Sequence, residues 1–212
     1  MRKTFLAITL FLAFSKAALA QFGNCTASEM RTYVDSATGN TITMLTDTMK
    51  NDRFLYQTDP MWTADGKYLL FRSSSRGNDK EVESTLPNGE KRKWTPTQIY
   101  FIEMTTGKII QATEGPNLGS AFLANKTNRM FVSRKEKENW NMYVMDLDKF
   151  FADVKQGKVG KPSAYETFIG TFPTEMGRPG GYAVDCNDDY AYITVEREGT
   201  DCLLYTSPSP RD

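Results

Sequence analysis

The 212-residue chain contains no histidine, so no imidazole base and no imidazole metal ligand can come from these residues. Cysteine is nearly as scarce, with three residues and no clustered pair of the kind that binds zinc or iron–sulfur. Charge of either sign is not in excess: 26 basic side chains face 26 acidic ones, which argues against a polyanion-binding surface spread over the whole molecule. No glycine-rich phosphate loop and no Gly-x-Ser-x-Gly nucleophile elbow is present. After residue 20 no apolar run is long enough to cross a bilayer. What the chain does have is aromatic content, 12% led by Phe and Tyr, which favours sheet over helix.

The two ends read differently from the middle. Arg2 and Lys3, an apolar run from Thr4 to Phe14 and the small residues Ala18-Leu19-Ala20 form a secretory signal peptide over residues 1–20. An exported protein, periplasmic or extracellular and not inserted in the membrane, is therefore expected. Cys202 to Asp212 resembles the in-frame translation of a sequencing adapter, so residues 202–212 are expected to be non-native and the domain to cover 21–201. Setting that tail aside leaves Cys25 and Cys186, which an oxidising compartment permits to pair or to remain separate thiols.

Between the ends a pattern recurs. Asp59-Pro60-Met61-Trp62-Thr63-Ala64-Asp65-Gly66-Lys67-Tyr68-Leu69-Leu70-Phe71 joins a polar Asp-Gly turn to a strand of bulky residues. Strands are predicted at Lys67 to Arg72, Gln98 to Glu103 and Lys108 to Ala112, then at Arg129 to Ser133 and Asn141 to Asp146, then at Tyr182 to Asp185 and Tyr190 to Val195. Phe71, Val132 and Ile193 occupy equivalent places 61 residues apart each time. Propeller blades run about 40–50 residues. The surplus is assigned to grafted loops, Ser73 to Pro96 and Lys149 to Pro162, with Phe150 to Val154 a candidate short helix. Thr32 to Thr46 reads as a strand–turn–strand, the outer half of a further blade. The fold class is thus all-β, a β-propeller truncated to about three blades of an expected seven, with exposed sheet edges and hence poor solubility.

The residues Thr32-Tyr33, Asp35, Ala37-Thr38-Gly39, Thr43, Leu45-Thr46, Tyr56-Gln57, Thr63, Asp65-Gly66-Lys67 and Leu69-Leu70-Phe71 together resemble the N-terminal part of oligogalacturonate lyases. The resemblance covers roughly Thr32 to Gly115; the Asp-Gly-Lys strand is also similar to TolB-like propellers and to propeller domains of prolyl oligopeptidases. It implies a seven-bladed propeller that cleaves short pectin oligomers by β-elimination. A divalent cation, such as manganese or calcium, would stabilise the charge that develops on the uronate carboxylate. In that family histidines and a glutamine of later blades hold the cation. With no histidine here, metal ligands and catalytic residues are expected downstream of Asp201, and the fragment itself is expected to be inactive. The implied partner is an acidic oligosaccharide, not nucleic acid.

Arg53, Arg72 and Arg178 are the candidate substrate-binding residues, since a guanidinium can grip a carboxylate through two parallel hydrogen bonds. The resemblance places a basic residue near the central funnel at Arg53; the plain alternative is a solvated loop arginine. Arg72, and with it Arg76, follows a blade strand, and Arg178 lies in Gly177-Arg178-Pro179-Gly180-Gly181, which equally reads as turn chemistry. Asp185, Asn187, Asp189 and Glu196 match calcium-loop spacing, but Tyr190 stands where that loop needs glycine, so no metal site is assigned. Asn24-Cys25-Thr26 and Asn125-Lys126-Thr127 fit the glycosylation sequon. Trp62 is assigned to the core rather than to a sugar. The rival functions are a non-catalytic TolB-like binding propeller and the propeller domain of a truncated serine peptidase.

Overall fold

A computed structural model describes residues 22–197 and 203–208, except 48, 78, 87 and 173–175; the signal sequence predicted over 1–20 lies outside them. The architecture is a succession of antiparallel sheets. The first joins β1 (Cys25–Thr26), β4 (Asp52–Arg53), β5 (Tyr68–Ser73), β8 (Gln98–Glu103) and β9 (Ile109–Gln111) in the order β1-β9-β8-β5-β4. The second is a meander of β10 (Leu118–Leu123), β11 (Arg129–Glu136), β12 (Asn139–Asp146) and β13 (Glu166–Thr171). The third is β14 (Met176–Val184), β15 (Tyr190–Arg197) and β16 (Leu203–Pro208), the last drawn from the adapter-like tail. Two ribbons stand apart, β2 (Arg31–Val34) with β3 (Thr41–Met44), and β6 (Val82–Thr85) with β7 (Lys91–Trp94). Every strand expected from sequence is present. The Ser73 to Pro96 stretch, expected to be loop, carries the second ribbon.

The opening motif explains its own turn. Gly66 sits at φ 68°, a left-handed conformation that favours glycine. Asp65 accepts hydrogen bonds from the Thr63 hydroxyl at 2.7 Å and the Lys67 amide at 3.1 Å, and pairs with the Lys67 ammonium at 2.9 Å. The Thr63 hydroxyl also accepts from the Tyr68 amide at 3.1 Å, so the turn is closed before β5 begins. Burial opposes the Asp65 charge, but these hydrogen bonds outweigh it and bring the carboxyl from its ordinary 3.8 down to about 2.

Two cores bind the sheets face to face. Tyr68, Leu70, Ile99 and Phe101 of the first sheet meet Ala121, Leu123, Met130 and Val132 of the second. Phe122, Phe131 and Val144 of the second meet Ala191 and Ile193 of the third. Phe71 lies on the other face of the first sheet, with Tyr100, Ile102 and Ile109, and Leu45 after β3 packs against that group. The residues spaced 61 apart therefore share an orientation: Phe71, Val132 and Ile193 each point back toward the preceding unit.

Helix α1 (Leu147–Gln156) occupies the second predicted insertion, longer than the short helix expected there. Asp146 caps it by accepting from the Lys149 amide at 2.9 Å, and Gly157 ends it at φ 66°. Its buried face carries Leu147, Phe150 and Phe151 into the first core, where the Phe151 ring stacks on Tyr68 with centroids 3.6 Å apart. The insertion is thus a wedge between two sheets and not a surface loop. Trp62, assigned to the core from sequence, is instead 49% exposed: it bridges to Leu69 through the backbone and its indole faces outward.

Neighbouring units are also joined turn to turn. The Asp65 amide donates to Asn128 Oδ1 at 3.2 Å, linking the first sheet to the second. Between the second and third, Asp188 accepts from the amides of Asn125, Lys126 and Thr127 at 2.7, 2.8 and 2.9 Å and from the Thr127 hydroxyl at 2.9 Å. Asp188 is buried and sits at φ 62°, a conformation asparagine and aspartate tolerate best. The Asn125 side-chain amide donates in turn to the carbonyls of Val184 and Asp185. Cys25 and Cys186 are free and exposed, so the structure holds them as separate thiols.

Replacing Asp188 with Ala strands three backbone donors and is expected to cost about 3 kcal/mol in chemical denaturation, with Asp188→Asn costing less. Because the folded Asp65 carboxyl binds its proton more weakly than the unfolded one, its stabilisation is complete above about pH 4 and is lost as pH falls toward 2. Melting temperature followed over that range should fall less steeply for Asp65→Asn than for the wild type.

Candidate functional site

Arg53 is not a loop residue. It forms the end of β4, and its register partner across the ladder is Arg72 of β5. Residues directly opposite in an antiparallel pair project from the same face with Cβ atoms about 4.5–5.5 Å apart. Two arginine side chains therefore leave one face of the sheet side by side, both exposed. Arg53 Nε donates to Asn51 Oδ1 at 3.2 Å, and among the described residues neither arginine has a carboxylate within ion-pair distance. Like charges so placed repel and destabilise the strand pair. A bound carboxylate would remove that cost while accepting from both.

The acid nearest in sequence, Asp52, is turned to the opposite face, where Arg76 consumes it. Arg76 donates to Asp52 through Nε at 2.8 Å and Nη2 at 2.6 Å, and to Glu29 through Nη1 at 2.9 Å and Nη2 at 2.6 Å. Its side chain is only 6% exposed. Burial opposes its charge, but the two carboxylates hold it protonated more firmly than an ordinary arginine. The same hydrogen bonds hold Glu29 below its ordinary value. Arg76, grouped by sequence with Arg72, is thus a structural tie and not part of the same cleft.

Around the arginine pair, the chain leaving β4 exposes Phe54 (53%) and Tyr56 (64%), aromatic surface of the kind that stacks on sugar rings. Sequence reading did not single out either residue as a site. An exposed Phe one residue from an arginine on a short strand was the available signal. Arg178 lies within β14, next to the Pro179–Val195 pairing, and its side chain is outside the described residues. The geometry brings Arg53 and Arg72 together; it does not test Arg178.

On the Arg76 face of the first sheet lies a cavity of about 190 Å³, lined in part by Asn24, Glu29, Lys50, Arg76 and Tyr100. Among the described residues, the Tyr100 hydroxyl and one oxygen of Asp79 are buried without a hydrogen-bond partner. Burial first, and then the Asp79 charge, push the Tyr100 phenol well above its ordinary range. This cavity and the arginine pair occupy opposite faces of one sheet.

Comparison with solved structures decides the resemblance. Over 84% of its length the chain superposes on an oligogalacturonate lyase in complex with manganese, with TM-score 0.59 and 19% identity. A second match, an oligogalacturonate lyase of Vibrio parahaemolyticus, gives TM-score 0.58 and 20% identity over 84% of the chain. The chain folds like part of an oligogalacturonate lyase. It spans about two fifths of the length of these lyases, 39% and 38%. No family model matches the sequence, nor does any curated protein.

The first lyase is a manganese complex, which suggests a divalent cation among such proteins. Among the described residues here, no group of three or more Cys, Asp or Glu side chains is placed to hold a metal, and histidine is absent from the sequence. The donor set of the described residues does not fit that ion. No helix among the described residues is long and apolar enough to cross a membrane.

Substituting Arg72 and Arg76 should separate their roles in urea denaturation. Arg72→Gln is expected to leave stability unchanged or raise it by up to about 0.5 kcal/mol, by relieving a like-charge pair. Arg76→Gln is expected to cost about 3 kcal/mol, because it strands two carboxylates that are largely buried.

Proposed function

We propose that this chain is the N-terminal portion of an exported β-propeller lyase, and that its own contribution is to bind the carboxylates of an acidic pectin oligosaccharide. The observation that carries the reading is the Arg53–Arg72 pair, exposed, adjacent and uncompensated, in a fold shared with oligogalacturonate lyases. Three adjoining sheets of like orientation, spaced 61 residues apart, support radial repetition as the architecture.

In β-elimination a base removes the proton from the carbon bearing the uronate carboxylate, and the glycosidic oxygen departs. Negative charge flows into the carboxylate as the proton leaves. Two guanidinium groups on that carboxylate stabilise the transition state more than the ground state, because the charge they face is larger there. Arg53 and Arg72 are cast in this binding and charge-stabilising role. Phe54 and Tyr56 offer apolar surface for the sugar ring. The base and the metal ligands are assigned to parts of the lyase outside these residues.

Titration of saturated oligogalacturonate into the 212-residue chain should show binding that weakens as salt is raised. Arg53→Ala with Arg72→Ala should weaken it at least about tenfold, the loss expected for charge-assisted bonds to one carboxylate. Undiminished affinity in the double variant would refute the assignment.

A further inference from the structure

The two glycosylation sequons differ in how the fold treats their side chains. In Asn125-Lys126-Thr127 the acceptor nitrogen of Asn125 already donates to the carbonyls of Val184 and Asp185 at 3.1 and 3.0 Å. In Asn24-Cys25-Thr26 all three residues are exposed. Among the described residues, neither the Asn24 side-chain amide nor the Thr26 hydroxyl takes part in a hydrogen bond. Asn24 borders the cavity on the Arg76 face and is still exposed.

The segment is nevertheless held in place, through its main chain. The Gly23 amide donates to the Gln111 carbonyl at 2.7 Å, and the Gln111 amide to the Asn24 carbonyl at 3.0 Å. Strand β1 then sets Cys25 against Ile110 and Thr26 against Ile109. It is the last strand at one edge of the first sheet, and among the described residues it pairs with β9 alone. An open sheet edge is a template for pairing with another chain. A glycan is bulky, solubilising and confined to surfaces, and one rooted just before β1 would cover that edge.

We propose that Asn24 is an acceptor for an N-linked glycan, and that the glycan shields the β1 edge of the first sheet. The proposal rests on the export given under Proposed function, because the donor is an oligosaccharide carried on a lipid diphosphate in the secretory route. Asn24 Nδ2 forms a bond to C1 of the first sugar as the bond from that carbon to the diphosphate oxygen breaks. The lipid diphosphate leaves, and one amide proton passes to a base of the transferase. The sequon requires a hydroxyl at its third place and no proline at its second, which Thr26 and Cys25 satisfy. Transfer to Asn24 costs the fold no hydrogen bond, whereas transfer to Asn125 costs it two.

The test is secretion of the full chain from a eukaryotic host, once behind its own leader and once behind a proven one. Intact mass is measured before and after peptide N-glycosidase. The wild type should carry a glycan at Asn24 in most copies. Asn24→Gln and Thr26→Ala should lose it, and Thr26→Ser should keep it. Thr26→Ala should match the deglycosylated wild type in melting temperature, since the hydroxyl it removes is exposed. The bare Thr26→Ala chain should self-associate more than the glycosylated wild type in light scattering, and Thr26→Ser should not. A wild-type chain secreted behind the proven leader with Asn24 bare would overturn the proposal. Equal self-association of bare and glycosylated chains would overturn the shielding. Retention behind its own leader would instead bring down the export reading, while the proven leader still decides Asn24.

Discussion

One guanidinium, that of Arg76, organises the first sheet and the approach to it. By sharing its donors between Asp52 and Glu29, it fastens the short edge strand β4 and the segment before β2 to the loop that follows β5. A buried ion pair of this kind brings little net stability, since desolvation offsets attraction, but its partners cannot leave singly without a large penalty. Its effect on the opposite face matters more. Because Asp52 is spoken for, no carboxylate among the described residues pairs with Arg53, and the register of β4 on β5 sets Arg53 against Arg72. The structure tolerates that repulsion at a solvent-exposed edge, where it is weakest, and gains a place where an anion is welcome.

The remaining architecture follows from repetition. Each unit supplies a strand whose central residue points back to its predecessor, and a turn that hydrogen-bonds to the turn of a neighbour. The second contact varies in chemistry while keeping its position. At the first junction an asparagine side chain receives one amide, and at the second a carboxylate receives three. Helix α1 adds a wedge of phenylalanine that makes the first junction broader than the second.

Much of this was legible in the residues. Alternating bulky runs bounded by Asp-Gly and Thr-Gly turns located the strands, and the 61-residue spacing gave their equivalence and facing. The strand ends were less legible: β11 extends through Lys135 and Glu136, and β12 starts already at Asn139, because a long hairpin satisfies its own backbone whatever its side chains. Trp62 was misplaced because an aromatic beside a turn motif carries no sign of which face it takes. Asp188 was hidden among Asp185, Asn187 and Asp189, whose calcium-like spacing drew attention from the residue that turns inward. For the site, arginine as a residue type was readable, but the pairing of Arg53 with Arg72 and the diversion of Arg76 depend on register and long-range acids that no local pattern reveals. Tyr100 belongs to the same class, since only the fold shows that its hydroxyl is left alone.

The bonds made by Asn125 bear on how the protein can be produced. Its side-chain nitrogen, the atom to which a glycan would be attached in the sequon Asn125-Lys126-Thr127, already donates to Val184 and Asp185, and its hydroxyl neighbour Thr127 is held by Asp188. Sugar transfer and docking of the third sheet compete for one atom. A glycosylating expression host would therefore partition the chain into two populations during synthesis, one able to close the junction and one barred from it. A bacterial host, which leaves that nitrogen bare, would yield a single species.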